Sequence, residues 1–223
     1  MSQPINANRL FLASCFALIT TAFSFSIRAG ILPQLGRELT LSGEQLGYIN
    51  SMWFLGFPIS MVIGGLIYNN VGGKLIMQFA FLAHTIGIIM TIYSGSYVGL
   101  LISTLLIGFG NGCTEAACNP LIADAYEGNM MSKMMNRLHM WFPGGIVIGA
   151  LLSKFMTDSG LSWETQIWII MIPTLIYGYL FYGKSWPTAK TQEESSLTEN
   201  LKAMVTPLFI FMLISMVLTA ITE

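Results

Sequence analysis

Arg28 and Glu115 are the two charged residues that fall well inside long apolar runs, and each stands on a polar stripe at helical spacing. Thr20, Ser24 and Arg28 recur at i, i+4 and i+8, as do Asn111, Glu115 and Asn119, so each set occupies one face of a helix. Side chains of these types can take up and release a proton and can hydrogen-bond a polar solute. A charge near the centre of a bilayer costs about 2.5–3.5 kcal/mol even on insertion scales, so both stripes are expected to border a wet cavity or each other. Arg28 has a competing use, because it lies near the outer end of its run and could snorkel to the interface. Glu115 has no such escape.

The elements that must position these residues are membrane-spanning helices. With 54% hydrophobic residues, 9% charged and a mean hydropathy of +0.66, the 223-residue chain lacks the polar surface of a soluble domain. A crossing needs about 20 mainly apolar residues, and six segments supply them, at roughly 10–33, 47–68, 75–94, 97–120, 138–157 and 166–183. The first is long, lacks a small-residue cleavage site and is followed by five more, which argues against a signal peptide. Residues 1–183 thus read as a six-helix bundle, 184–203 as a polar cytoplasmic linker, and 204–223 as a truncated seventh helix.

Positive loops stay in the cytoplasm. Arg9, Lys74, Lys133, Arg137, Lys184, Lys190 and Lys202 fall on one side of the six-span arrangement, and Arg37 and Lys154 on the other, which puts the amino terminus inside. Cys15, Cys113 and Cys118 lie in apolar runs and read as buried small side chains. A net charge of −1 excludes a basic nucleic-acid footprint, and the sequence offers no cluster with metal-ligand spacing. No cofactor is expected, and nucleophile, base and orienter do not fall together as an enzyme would require.

Segments of the first half recur in the second. Arg28-Ala-Gly-Ile-Leu-Pro33 aligns with Glu115-Ala-Ala-Cys-Asn-Pro120 at an offset of 87, and Met52-Trp53-Phe54 with Met140-Trp141-Phe142 at 88. Two three-helix repeats, inverted because their helix number is odd, would place Arg28 and Glu115 in equivalent positions on one face. Gly108 and Gly112, and Gly145 and Gly149, have the small-xxx-small spacing that lets helices approach closely. Pro58 and Pro143 free backbone carbonyls and permit kinks.

These stretches resemble the major facilitator superfamily, and within it the fucose:proton symporter-like sugar transporters, over the first six helices. Gly65-Leu-Ile-Tyr-Asn69-Asn70-Val-Gly72-Gly73-Lys74 is similar to the superfamily's cytoplasmic gating motif, with Asn69 where the motif has Asp and Gly72 and Lys74 retained. Gly108-Phe-Gly110-Asn-Gly112 followed by Glu115 and Asn119-Pro120 resembles the fucose symporter-like signature. Asn136-Arg-Leu-His139-Met-Trp141-Phe-Pro143-Gly-Gly resembles that family's next helix, with His139 where the fucose symporter has a cavity glutamine. Helix 1 departs from the family, holding Arg28 and Ala29 where a sugar-facing carboxylate is common. The resemblance implies an all-α membrane protein, half of a twelve-helix fold, in which this half needs a missing carboxyl-terminal half.

The protein expected from these residues is a secondary transporter, a multi-pass protein of the plasma or inner membrane working by alternating access. Its partners are protons, a small solute such as a sugar, and the lipid bilayer. A carboxylate sheltered from water favours its protonated form and a nearby Arg opposes this, which makes Glu115 the expected proton carrier. Asn111, Asn119, Asn136 and His139 are expected to meet solute hydroxyls, and Trp141 or Trp53 the apolar face of a sugar ring. The alternatives are a permanent Arg28–Glu115 ion pair, an organic-anion carrier favoured by Arg28, and a non-transporting six-helix scaffold. His84, in helix 3, is expected at a packing or lipid-edge position, and Trp163, Trp168 and Trp186 in the interfacial aromatic belt.

Overall fold

The computed structural model describes residues 6–187 and 197–222 and is helical throughout its regular parts. Its elements are α1 (Ala7–Glu38), α2 (Gly43–Tyr93), α3 (Tyr97–Ala125), α4 (Gly128–His139), α5 (Trp141–Asp158), α6 (Trp163–Phe181), α7 (Leu197–Met204) and α8 (Pro207–Thr222). Serines mark several starts. Ser42, Ser96 and Ser162 each accept from a backbone N–H three residues on, and Ser42 forms a reciprocal capping box with Gln45.

Helix α2 spans 51 residues, far more than one crossing requires, and it is broken at Gly72 (φ 78°, ψ 149°). That combination is open essentially to glycine alone. Both arms pack along α3 in opposite senses. In the first arm (43–71), Gly56 lies against Leu105 and Phe109, and Gly64 against Ala116; in the second (73–93), Met77 meets Cys118 and Gly87 lies against Ser103 and Ile107. The chain therefore reverses at Gly72, and the segments expected at 47–68 and 75–94 are its two arms.

Helix α1 is central, against α3, α5 and α6. Ser24 contacts Asn111 and Asn8 contacts Tyr126, so α1 and α3 are antiparallel. Ala22 and Ser26 face Gly145 and Gly149, so α5 runs parallel to α1. Arg9 donates to the carbonyls of Leu180 and Tyr179 at the end of α6, while Trp163 Nε1 donates to Glu38 Oε2 at the other end of α1. These ties make α6 antiparallel to α1. Trp163 is 3% exposed, so it is a packed strut rather than the belt residue expected; Trp168 is exposed, and Trp186 stacks on Phe181.

Close approach is set by the glycines that the sequence singled out. A Cβ on Gly108 would strike the Trp53 carbonyl, and one on Gly112 would strike Phe57 O and Ser60 Oγ of the first arm. The segment expected at 138–157 is divided at Met140 between α4 and α5, which puts Pro143 in the first turn of α5, where a missing N–H costs no helical bond. Helix α3 runs through Pro120 to Ala125. Part of the linker expected at 184–203 is helical, as α7, and its positions 188–196 lie outside the described residues, as does Glu223.

Four helical stretches among the described residues are long and apolar enough to cross a membrane: Ala7–Glu38, Gly43–Tyr93, Tyr97–Ala125 and Gly128–Asp158. Apolar packing concentrates in two buried clusters. Leu10, Leu18, Ile76, Leu121, Leu138 and Phe181 belong to one; Ile27, Ile49, Ile88, Leu100, Ile107 and Ile167 belong to the other.

Candidate functional site

A polar network links α1, both arms of α2, α3 and α6. The Asn111 Nδ2 donates to Ser24 Oγ at 3.0 Å, and Trp53 Nε1 donates to the same oxygen at 3.2 Å. Ser24 in turn donates to Thr21 O at 2.8 Å. On its other side Asn111 Oδ1 lies 2.9 Å from His84 Nε2, and His84 Nδ1 lies 2.8 Å from the Tyr177 hydroxyl. Ser24, His84, Asn111 and Tyr177 are buried with essentially no exposure. His84 is therefore an interior residue, not a lipid-edge one; its ring fits because Gly110 presents no Cβ to it.

Arg28, one turn beyond Ser24, is only 4% exposed, so snorkelling is not its arrangement. Its Nη1 donates to Asn50 Oδ1 at 2.5 Å, and its Cζ lies 5.8 Å from the centroid of the Trp53 ring. Nε and Nη2 have no hydrogen-bond partner among the described residues. A buried guanidinium with two unpartnered nitrogens is costly, because its lost hydration is not replaced. Trp53 itself is held among Phe25, Phe54 and Phe57, stacked on the last at 5.4 Å.

Glu115 is part-buried on α3 and accepts from Asn119 Nδ2 at 3.0 Å. Asn119 Oδ1 has no partner among the described residues. His139, at the end of α4, is exposed. Asn136 on α4 is also exposed, and Trp141 at the start of α5 is 42% exposed. The structure thus gathers Glu115 and Asn119 at one level and Arg28, Asn50 and Trp53 at another, with Asn111 enclosed between them.

Arg28 and Glu115 do not pair; among the described residues the ion pair is Lys154–Asp158 on the surface. The reason is register. Ser24 and Asn111 meet where antiparallel α1 and α3 touch, so four residues onward along each chain leads in opposite directions, separating the two charges by about 12 Å along the axes. Thr20 turns toward α6, where it accepts from Thr174. In the loop motif, Gly72 makes the reversal, Lys74 and Gly65 are exposed, and Asn69 is half-buried beside Tyr68, whose hydroxyl donates to Asp124 at the end of α3.

Sequence reasoning missed Asn50, the partner of Arg28, and the His84–Tyr177 pair. Asn50 carried a signal, since it precedes Trp53 by three positions and so shares its helix face. Tyr177 carried none: its link to His84 joins residues 93 apart in sequence. A groove of about 430 Å³ lies between α1 and α5 beside Ala29, Gly30 and Ser153, while a larger one of about 600 Å³, between the second arm of α2 and α6, contains neither candidate charge.

The sequence profile described as Major Facilitator Superfamily matches residues 14–222. The chain is 27% identical over 182 residues to the hexuronate transporter of Bacillus subtilis (strain 168), a match covering 78% of this chain and 41% of that protein. The fold superposes on the proton:xylose symporter XylE bound to 6-bromo-6-deoxy-D-glucose with a TM-score of 0.73 and 15% identity, covering 81% of this chain and 45% of that one. For FucP in the outward conformation the TM-score is 0.68 at 18% identity, covering 87% and 55%. The chain thus spans about half the length of the proteins it resembles. Apolar helices around a buried polar interior, a glycine-marked reversal between the arms of α2 and a profile match over nearly the whole chain lead to one conclusion: this multi-pass membrane protein belongs to the Major Facilitator Superfamily, a family of transporters and not of enzymes.

Proposed function

We propose that this chain supplies the amino-terminal six-helix half of a proton-coupled secondary transporter that takes up a sugar or a similar small polar solute by alternating access. One observation carries the reading. The two charges within apolar helices, Arg28 and Glu115, are sheltered yet unpaired with each other, so each is left to engage something that enters from outside the bundle. Glu115 takes the proton. Asn119, Asn136, His139 and Trp141 meet the solute, and Asn111, whose amide is fully engaged, supports that surface from behind. The alternating senses of α1, the arms of α2, α3, α5 and α6 support six spans. Contact between Ser24 and Asn111, at the same 87-residue offset as the sequence repeat, supports an inverted pair of three-helix units.

The Lys and Arg distribution supports a cytoplasmic amino terminus in a plasma or inner membrane. The motif of Gly65, Asn69, Gly72 and Lys74 then lies on the cytoplasmic face, with Gly72 as the fixed corner of a gate. Glu115→Gln in the full-length transporter is expected to abolish proton-driven accumulation while sparing exchange of labelled solute across the membrane. Unchanged accumulation would remove Glu115 as the proton carrier.

A second reading, an organic-anion carrier, is favoured by the free Nε and Nη2 of Arg28, which form an edge suited to a carboxylate. The relative from Bacillus subtilis is named for hexuronate, an acidic sugar. Competition for uptake separates the two: neutral sugars compete under the first reading, acidic ones under the second.

A further inference from the structure

We propose that His84, with Tyr177 behind it, is a positioning residue that sets the amide of Asn111 and, through Ser24, the indole of Trp53 beside Arg28. This inference rests on the reading of Arg28 and its surroundings as part of the solute site.

The hydrogen bonds of this network run in one direction. Ser24 Oγ gives its own hydrogen to Thr21 O and so faces Trp53 Nε1 and Asn111 Nδ2 as an acceptor. Asn111 therefore presents Oδ1 toward His84, and His84 must carry its hydrogen on Nε2. Nδ1 is then an acceptor, filled by the Tyr177 O–H. Ser24 Oγ also lies 3.3 Å from Asn111 Oδ1, but Thr21 O at 2.8 Å is its nearer acceptor, and reversing the order would leave the Tyr177 hydroxyl hydrogen without an acceptor among the described residues. Without the ring, nothing fixes which end of the Asn111 amide meets Ser24; with Oδ1 turned to it, the Ser24 hydroxyl is drawn to donate there instead of to Thr21 O, and the lone pair that accepts from the Trp53 indole N–H is re-aimed. A packing role alone would not need this order, since an apolar ring of the same size would fill the space that Gly110 leaves.

The test uses the full-length transporter in proteoliposomes, with labelled L-fucose, D-xylose and D-glucuronate as probes. For any probe taken up, His84→Phe is expected to raise KM about fivefold to tenfold, the loss of roughly one buried hydrogen bond, with little change in maximal rate. His84→Gln, which keeps an N–H donor near the Nε2 position, is expected to restore it. Adding His84→Phe to Trp53→Phe, which already lacks the indole N–H, is expected to add nothing further; additive losses would overturn the proposal.

A second readout needs no transport. In ¹⁵N-tryptophan-labelled protein the Trp53 indole resonance, assigned by its loss in Trp53→Phe, is expected to shift in His84→Phe and to return in His84→Gln. If it stays in place in His84→Phe, the positioning role is wrong. If none of the three probes is transported but the resonance shifts as stated, the choice of solute fails and the positioning stands. Should His84→Phe not reach the membrane, Tyr177→Phe removes the hydroxyl that fills His84 Nδ1 at the end of the chain away from Trp53; the indole resonance is expected to shift in it too, and an unmoved resonance would overturn the proposal.

Discussion

One turn separates two regions of α1 that treat polarity in opposite ways. Ser24 belongs to a network in which the hydroxyl, imidazole, amide and indole groups of five helical segments each find a partner. Arg28, four residues on, has two of its nitrogens without one among the described residues. Helix α3 repeats the contrast: Asn111 is fully engaged, while Asn119, two turns later, leaves Oδ1 unpaired beside Glu115. Burying polar groups that satisfy one another ties helices together at little net cost, whereas burying unsatisfied ones costs stability and persists where function requires it. The first kind of region builds the bundle. The second marks where a solute or a proton is expected.

Breaking the satisfied region should cost stability, and breaking the unsatisfied one should cost transport. The largest effect is expected for Glu115→Gln, with complete loss of proton-driven accumulation in proteoliposomes and a melting temperature close to that of the parent protein. Next comes Asn111→Leu, which strands His84 Nε2–H and removes a donor to Ser24 Oγ. It should destabilise the protein by about 2–4 kcal/mol, read as a lower melting temperature in detergent. Asn119→Leu, on the other side of the comparison, should leave melting nearly unchanged; equal losses for the two asparagines would erase the distinction.

Gly72→Ala should cost about 1–3 kcal/mol, because alanine cannot rest at the φ and ψ of the reversal. A smaller shift of opposite sign is expected for Arg28→Met: replacing an unpaired buried cation by an apolar chain of similar length should stabilise the protein by about 1 kcal/mol while uptake falls. Destabilisation by this change would mean that Arg28 is already satisfied. Lys154→Ala removes a surface pair that is solvent-screened on both sides and should leave the melting temperature unmoved.

The apolar runs were legible because a membrane helix must hide its backbone polarity within one segment, so about 20 residues of composition suffice to reveal it. Arg28 and Glu115 stood out for the same reason. The approach of α3 to the first arm of α2 was legible in Gly108 and Gly112, since a missing side chain is itself a contact signal. The corner at Gly72 could be read as a turn, though not as a break within one continuous helical stretch of 51 residues.

Other features had no local trace. Spacing put Arg28 and Glu115 on equivalent faces but could not say that antiparallel helices meeting at Ser24 and Asn111 would carry them apart. Nor could it say that Trp163 would be drawn inward to Glu38 rather than left at an interface. His84 is the clearest instance, since an imidazole in an apolar helix reads alike whether it faces lipid, a cavity or a tyrosine 93 residues away.

The sequence alone determined that this chain lives in lipid and which two charges within its apolar runs call for shelter, because both follow from the cost of placing polarity in hydrocarbon. Only the tertiary structure decided which polar groups satisfy one another and which are left unpaired. Hydrogen bonds are made over about 3 Å between groups brought together by the packing of whole helices, and no periodicity along one helix encodes the register of its neighbour.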